Sequence, residues 1–139
     1  MQDQSFSFTS RLPAIPLAEL RPGVEAALKA EGFGILTEID VQATVKSKLG
    51  IDRPPFLILG ACNPALSHRM LTQEPAMGAL LPCNVVLRED GDAVVIEMVE
   101  PRAMVAMVDD AVVREVAEDA HDRLHRAMAA IEQAFAAAV

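Results

Sequence analysis

The stretch LLPCNVVLREDGDAVVIEMV, residues 80–99, decides the fold class. It contains two runs rich in valine, leucine and isoleucine, residues 80–88 and 93–99, and each is long enough for a strand. The tetrapeptide EDGD lies between them, and an acidic, glycine-containing connection of this length is typical of a tight link between antiparallel strands. The stretch therefore predicts a β-hairpin.

Strand and helix signals alternate on the N-terminal side of this hairpin. The apolar spacing predicts strands over residues 5–12, 33–39 and 56–62, and helices over residues 17–31, 41–49 and 64–72. The third strand is continuously apolar, which is typical of a strand buried on both faces. Asp40 and Asn63 are in position to cap the second and third helices. Pro22 favours a first helix that begins near Arg21, because proline is tolerated in the first turn.

A long helix is predicted on the C-terminal side, from about residue 109 to near the end of the chain. Its apolar residues form one narrow stripe: Val113, Ala117, Ala120, Leu124, Ile131 and Phe135. The order of elements predicts an α+β fold, a two-layer sandwich of one sheet with helices packed on it. A length of 139 residues predicts a single domain, residues 1–139.

Composition excludes several classes of function. The chain has 12 basic and 20 acidic residues, a net charge of −8, and no basic patch, so we expect no nucleic-acid partner. No apolar stretch approaches the roughly 18–20 residues that span a bilayer, so we expect no membrane partner. The first ten residues are polar and do not resemble a signal peptide. These features predict a cytoplasmic protein whose two cysteines are reduced.

Three blocks of the chain carry a family resemblance: GFGILTEIDVQATVKSKLG (residues 32–50), ILGACNPALSHRML (residues 58–71) and LLPCNVVL (residues 80–87). In this order they resemble the domain-of-unknown-function family 302. The resemblance implies a compact α+β domain with a mainly antiparallel sheet and helices on one face, often as a dimer, and it leaves the activity open. A homodimer is also expected on physical grounds, because an uncovered edge strand in a chain with mean hydropathy +0.27 favours a partner.

Six polar or nucleophilic residues at strand ends and helix starts form the candidate binding site. They are Glu38, Cys62, Asn63, His68, Cys83 and Asn84. Cys62 ends an apolar strand immediately before a helix start, where unpaired N–H groups and the helix dipole favour a thiolate. His68 lies in the same predicted helix and faces back toward the strand ends if the helix has the expected phase.

Several interpretations of these residues remain open. Cys62, His68 and Cys83 are a possible ligand set for a soft metal ion, although the spacing matches no known zinc signature. The two cysteines are alternatively a redox pair, or the residues form the polar rim of a small-molecule pocket. Each residue also has a structural interpretation: the cysteines as core, Asn63 as a helix cap, and the charged groups as solvated side chains.

A second group of potential ligands lies on the predicted C-terminal helix. His121 and His125 are spaced for one helical face, and Glu118 lies a turn earlier, so the three are a conceivable metal clasp. The surrounding alternation of acidic and basic residues favours a solvated face instead.

The preferred hypothesis is a cytoplasmic, homodimeric binding or sensing module that holds a small molecule or a metal ion near Cys62 and His68. One alternative is a thiol-dependent enzyme or reductase with Cys62 as nucleophile. Another is a purely structural dimerisation module. The residues do not identify the ligand or any cofactor.

Overall fold

The structure is a computed structural model that describes residues 5–136. Its strands and helices, in chain order, are β1 (Ser7–Pro13), α1 (Leu17–Ala30), β2 (Gly34–Asp40), α2 (Val41–Leu49), β3 (Phe56–Cys62), α3 (Pro64–Gln73), β4 (Cys83–Asp90), β5 (Ala93–Val99), α4 (Pro101–Met104) and α5 (Ala111–Ala136). A 3₁₀ helix at Pro75–Leu80, which the sequence patterns did not predict, leads into β4. The predicted α+β class and long C-terminal helix are confirmed.

The strands form one antiparallel sheet in the order β1-β5-β4-β3-β2. The predicted hairpin is β4–β5, in which Asp90 pairs with Ala93 across the turn. Gly91 has a positive φ of 62°, a conformation that glycine adopts without a steric penalty, which explains its place in this turn. β1 and β2 are the two edges of the sheet.

Helices α1, α3 and α5 pack on one face of the sheet and enclose the hydrophobic core with it. α5 contacts α1, α3, α4 and β1, so this helix organises the helical layer. Its buried residues are Val113, Val116, Ala117, Ala120, Leu124, Ala127, Met128 and Ile131, which include most of the predicted stripe. In contrast, α2 contacts β2 and β3 and buries none of its own residues.

Within residues 5–136, no layer of helices covers the centre of the opposite face of the sheet, where long side chains lie instead. Val95 is fully buried there, between Arg11 of β1 and Arg88 of β4 in the register. Arg88 also pairs with Glu97. Because the core lies on one face only, β3 is not buried on both faces as its apolar run suggested, and its first three residues are half-buried.

The local signals at helix ends are mostly confirmed. Asp40 accepts a hydrogen bond from the N–H of Ala43 at 2.9 Å and caps α2, as predicted. The expected start of α1 near Arg21 is wrong, because α1 begins at Leu17 and Pro22 lies inside it. Leu17 is buried in the core, and that burial holds the first turn despite the backbone hydrogen bond that proline cannot donate.

Candidate metal centre

The two cysteines lie on neighbouring strands, where Ala61 of β3 pairs with Cys83 of β4. Cys62 is half-buried, and its Sγ lies 3.1 Å from the Oγ of Ser67 in α3. Cys83 is buried, and burial, with a smaller effect from Cys62, raises the pKa of its thiol to about 11. Cys83 is therefore a protonated thiol at neutral pH, which is the less reactive and less ligating form.

The remaining residues of the predicted site are divided among different surfaces. Asn63 is buried and caps α3, accepting a hydrogen bond from the N–H of Leu66 at 3.3 Å. Its amide group donates to the carbonyl oxygen of Glu31 at 3.4 Å. His68 on α3 and Asn84 on β4 are both exposed.

Glu38 lies on the helical side of the sheet, where it forms an ion pair with Arg21 of α1. The alternation along β2 predicts that Glu38 and Ile35 face opposite ways, and this is wrong. The register shifts between Ile35 and Thr37, so both Ile35 and Glu38 pair with core residues of β3. The extra residue in this β-bulge is Leu36, whose side chain is 68% exposed.

A small cavity lies beside Cys83, between the sheet and helices α3, α4 and α5. Asn63 and Ser67 also line it, and nearly all of the other lining groups are aliphatic. Its volume is about 30 Å³, room for roughly one or two water molecules. His68, Asn84 and Glu38 do not line this cavity. The site around Cys62 and His68 therefore stays a prediction, without a formed pocket that unites its members.

A different cluster brings together the side chains of Glu100, His121 and His125. Glu100 follows β5, and the two histidines lie one turn apart on α5. The Nδ1 of His121 is 2.7 Å from Oε1 of Glu100, and the Nε2 of His125 is 3.2 Å from Oε2. One potential ligand atom from each of the three residues lies within 4.8 Å of the other two.

Backbone contacts fix the position of Glu100. Its N–H donates to the carbonyl oxygen of Phe6 at 2.7 Å, which extends the β1–β5 pairing by one step. Its Oε1 accepts a hydrogen bond from the N–H of Arg102 at 3.3 Å and caps the short helix α4. The carboxylate is thus held between the end of the sheet and the middle of α5.

The cluster is enclosed on one side and open on the other. The side chains of Glu100 and His121 are only 17% and 16% exposed, whereas that of His125 is 41% exposed. The two imidazole rings lie 4.1 Å apart between centroids at an angle of 44°. Solvent therefore reaches the cluster from the His125 side.

Glu100 is a carboxylate at neutral pH. Burial opposes its ionisation, but hydrogen bonds from His121 and His125 outweigh burial and hold the pKa of Glu100 below its ordinary value. Because a carboxylate only accepts hydrogen bonds, both ring nitrogens that face it carry a proton in this arrangement. A metal ion bound here would replace those protons.

An exposed, two-point ion pair adjoins the cluster. Arg102 binds Glu118 of α5 through two hydrogen bonds, Nε to Oε1 and Nη2 to Oε2, both of 2.8 Å. The two side chains are 53% and 54% exposed. Glu118 precedes His121 by three residues, so the two lie on the same side of α5.

Comparison with known proteins identifies the family. The family described as "Domain of unknown function DUF302" matches residues 8–131. The chain belongs to the DUF302 family. A crystal structure of an uncharacterized conserved protein DUF302 from Bacillus stearothermophilus is similar to this structure, with a TM-score of 0.83 and 30% sequence identity over 92% of this chain and 99% of that chain. The resemblance inferred from the three sequence blocks is confirmed, whereas no curated protein matches significantly.

Sequence reasoning on this DUF302 domain did not assign Glu100 to any site. Glu100 lies just after the predicted strand over residues 93–99, and the alternation of charges predicts a solvated face for the histidines of α5. That interpretation is wrong for His121, which is largely buried against Glu100. The available signal was the paired histidines on one helical face, but their carboxylate partner lies 21 residues from His121 in sequence.

Among residues 5–136, no helix is long and apolar enough to span a membrane.

Proposed function

We propose that this DUF302 domain binds a divalent transition-metal ion through Glu100, His121 and His125. The observation that carries the proposal is the convergence of two imidazoles and one carboxylate, with their ligand atoms within 4.8 Å of one another. Two histidines and a carboxylate suit ions such as Zn²⁺ and Fe²⁺, which accept nitrogen and oxygen ligands.

The distances support this assignment. An ion about 2.1 Å from each ligand atom separates neighbouring ligand atoms by roughly 3.0–3.4 Å in octahedral or tetrahedral geometry. The two Glu100–histidine distances, 2.7 and 3.2 Å, are close to this range, and the ligand atoms of the two histidines lie within 4.8 Å of each other, so the three groups can close around one ion by side-chain movement. An ordinary surface ion pair needs only one histidine beside an exposed carboxylate. Here two imidazole rings face the same largely buried carboxylate, an arrangement that suits a shared metal ion.

Three protein ligands leave at least one coordination position for water or a small molecule. The exposed side of His125 is the route to that position. The proposed function is therefore a metal-dependent binding or sensing module.

A cytoplasmic location is part of the proposal, supported by two unpaired cysteines, which are typical of a reducing compartment.

The test is a calorimetric titration of the chelator-treated protein with Zn²⁺ and Co²⁺. The variants His121→Ala and His125→Ala should each weaken binding by roughly tenfold or more. The matched control is His68→Ala, which removes the chain's third histidine from an exposed site on α3. Wild-type protein that binds neither metal would overturn the proposal. Loss of binding in the His68 variant alone would instead support the site around Cys62.

We also propose that the domain forms a homodimer through the β2 edge. β2 is an edge strand, and its Leu36 and Ile39 are 68% and 50% exposed. Beside it, Leu49 and Ile51 are 67% and 55% exposed. A twofold axis at this edge would pair two β2 strands and cover these side chains.

Sedimentation velocity tests the dimer. The variant Leu36→Lys should sediment as a monomer, whereas Leu71→Lys, which alters an exposed leucine on α3, should remain dimeric. A wild-type monomer at about 100 μM, or equal behaviour of the two variants, would exclude the β2 interface.

A further inference from the structure

We propose that Glu118 is a fourth protein ligand of this metal site, held in reserve by Arg102. This inference rests on the proposed function, since it concerns the ligand set of the same ion. The sequence places Glu118, His121 and His125 at positions i, i+3 and i+7 of α5, so all three project from one side of the helix. The carboxylate of Glu118 is, however, engaged by Arg102.

Arg102 contacts both carboxylates next to the histidines. Its backbone N–H donates to Glu100 at 3.3 Å, and its guanidinium donates two hydrogen bonds to Glu118. Since the backbone contact positions Arg102 beside the cluster, its side chain determines where the Glu118 carboxylate lies. Asp122 of α5 also attracts Arg102 electrostatically, but among residues 5–136 the carboxylate that the guanidinium hydrogen-bonds is that of Glu118.

The charges favour an exchange of partners when the ion arrives. In this structure, Arg102 neutralises Glu118, and Glu100 binds the two histidines. A divalent ion with Glu100 alone leaves a net positive charge next to the Arg102 guanidinium, and this repulsion favours release of the arginine. The ion pair is more than half exposed, and such pairs contribute only about 0–1 kcal/mol to stability, so little opposes its opening.

Arg102 therefore competes with the metal ion for Glu118. It lowers the affinity for the ion, and it makes the number of protein ligands depend on whether the Arg102–Glu118 pair is open. A partner or anion that binds the guanidinium would strengthen metal binding without touching the ion.

The experiment measures Zn²⁺ and Co²⁺ affinity by calorimetry in Glu118→Gln, Arg102→Gln and the double variant. Glu118→Gln should weaken binding by roughly tenfold, and Arg102→Gln should strengthen it by a similar factor. In the Glu118→Gln background, Arg102→Gln should strengthen binding by much less than it does in wild type, because only the direct repulsion between the guanidinium and the ion remains. The visible spectrum of bound Co²⁺ should change in Glu118→Gln, because the ligand set changes.

Asp119→Asn and Arg126→Gln are the matched controls. Asp119→Asn removes a negative charge, as Glu118→Gln does, from the half-buried pair of Asp119 with Arg123. Arg126→Gln removes a positive charge, as Arg102→Gln does, from the pair of Arg126 with Glu31. Equal affinities of Glu118→Gln and Asp119→Asn would overturn the inference while leaving the metal site intact. Weaker binding in Arg102→Gln would also overturn it, because a supporting rather than competing role has that sign. If wild-type protein binds no metal, the proposed function itself fails.

Discussion

The phenyl ring of Phe8 stacks on the imidazole of His125, with centroids 3.8 Å apart and planes inclined by 18°. Phe8 is a buried residue of β1, and His125 is the most exposed member of the cluster. The contact therefore joins the edge strand β1 to His125, the candidate ligand that the surrounding protein restrains least. It also restricts the rotation of a ring that would otherwise be free to turn toward solvent.

We expect Phe8→Leu to weaken metal binding through His125. Leucine keeps an apolar contact but removes the stacked ring, a contact worth about 0.5–1.5 kcal/mol, so His125 samples more orientations. Calorimetry should show weaker Zn²⁺ binding, with a modest loss in the free energy of unfolding. Phe33→Leu is the control, since Phe33 is equally buried and lines the cavity near Cys83 instead of contacting the cluster. Equal affinities of the two variants would refute a positioning role for Phe8.

Metal removal should lower the thermal stability of the protein. An ion that binds only the folded state at 100 times its dissociation constant stabilises that state by about 2.7 kcal/mol, which corresponds to a rise in Tm of roughly 5–10 °C for a domain of this size. Scanning calorimetry with Zn²⁺ and then with excess chelator measures the rise and its reversal. At the same Zn²⁺ concentration, His121→Ala should show a smaller rise, about half that of wild type if its affinity is tenfold weaker. An unchanged wild-type Tm at saturating Zn²⁺ would contradict the prediction.

The pKa of Cys83 predicts a loss of stability at alkaline pH. Burial raises this pKa from 9.0 to about 11, so the folded state holds the thiol proton more tightly than the unfolded state does. The protonated thiol of Cys83 therefore contributes fully to the stability of the folded state below pH 9. This contribution is lost as the pH rises through 11, which lowers the free energy of unfolding by up to about 2–3 kcal/mol.

Urea unfolding followed by circular dichroism between about pH 8 and pH 11 measures this loss. Cys83→Ala should show a flatter pH dependence than wild type, and Cys62→Ala should retain the decline. The chain has no tyrosine, so no phenol titrates in the same range. If the free energy of unfolding falls with pH equally in wild type and Cys83→Ala, ionisation of the Cys83 thiol does not destabilise the folded state and the prediction is wrong.

Features with a local cause were predictable from the sequence. Asp40 and Asn63 cap their helices because a short acceptor side chain reaches an N–H group within the next turn. Gly91 marks the hairpin because its turn requires a positive φ. The apolar stripe of α5 follows from helical periodicity, and the fold class follows from the order of these elements.

Features that depend on tertiary contacts were not predictable in the same way. One extra residue, Leu36, reverses the facing of Glu38, and periodicity along a strand does not reveal a bulge. The partnership of Glu100 with His121 depends on where β5 ends relative to the middle of α5, which only the packed structure defines. The candidate site around Cys62 was inferred from a local pattern, and His68 in that pattern lies on the exposed side of α3.

The last prediction concerns the close packing of β3 against β2 at Gly60. A Cβ atom on Gly60 would lie 2.1 Å from Oγ1 of Thr37 and 2.8 Å from Cγ of Pro82, distances that neither the β-branched side chain nor the ring accommodates without movement. Gly60→Ala should therefore reduce the free energy of unfolding by about 1–3 kcal/mol, measured by urea denaturation. Gly34→Ala, on the neighbouring strand, is the control because a Cβ there meets no atom within 4 Å, and it should be neutral or slightly stabilising. Adding Thr37→Ala to Gly60→Ala should recover only part of the lost stability, because it removes the contact with Thr37 while Pro82 still obstructs the new methyl group. If Gly60→Ala alone is as stable as wild type, β2 moves away from β3 at little cost and the prediction is wrong.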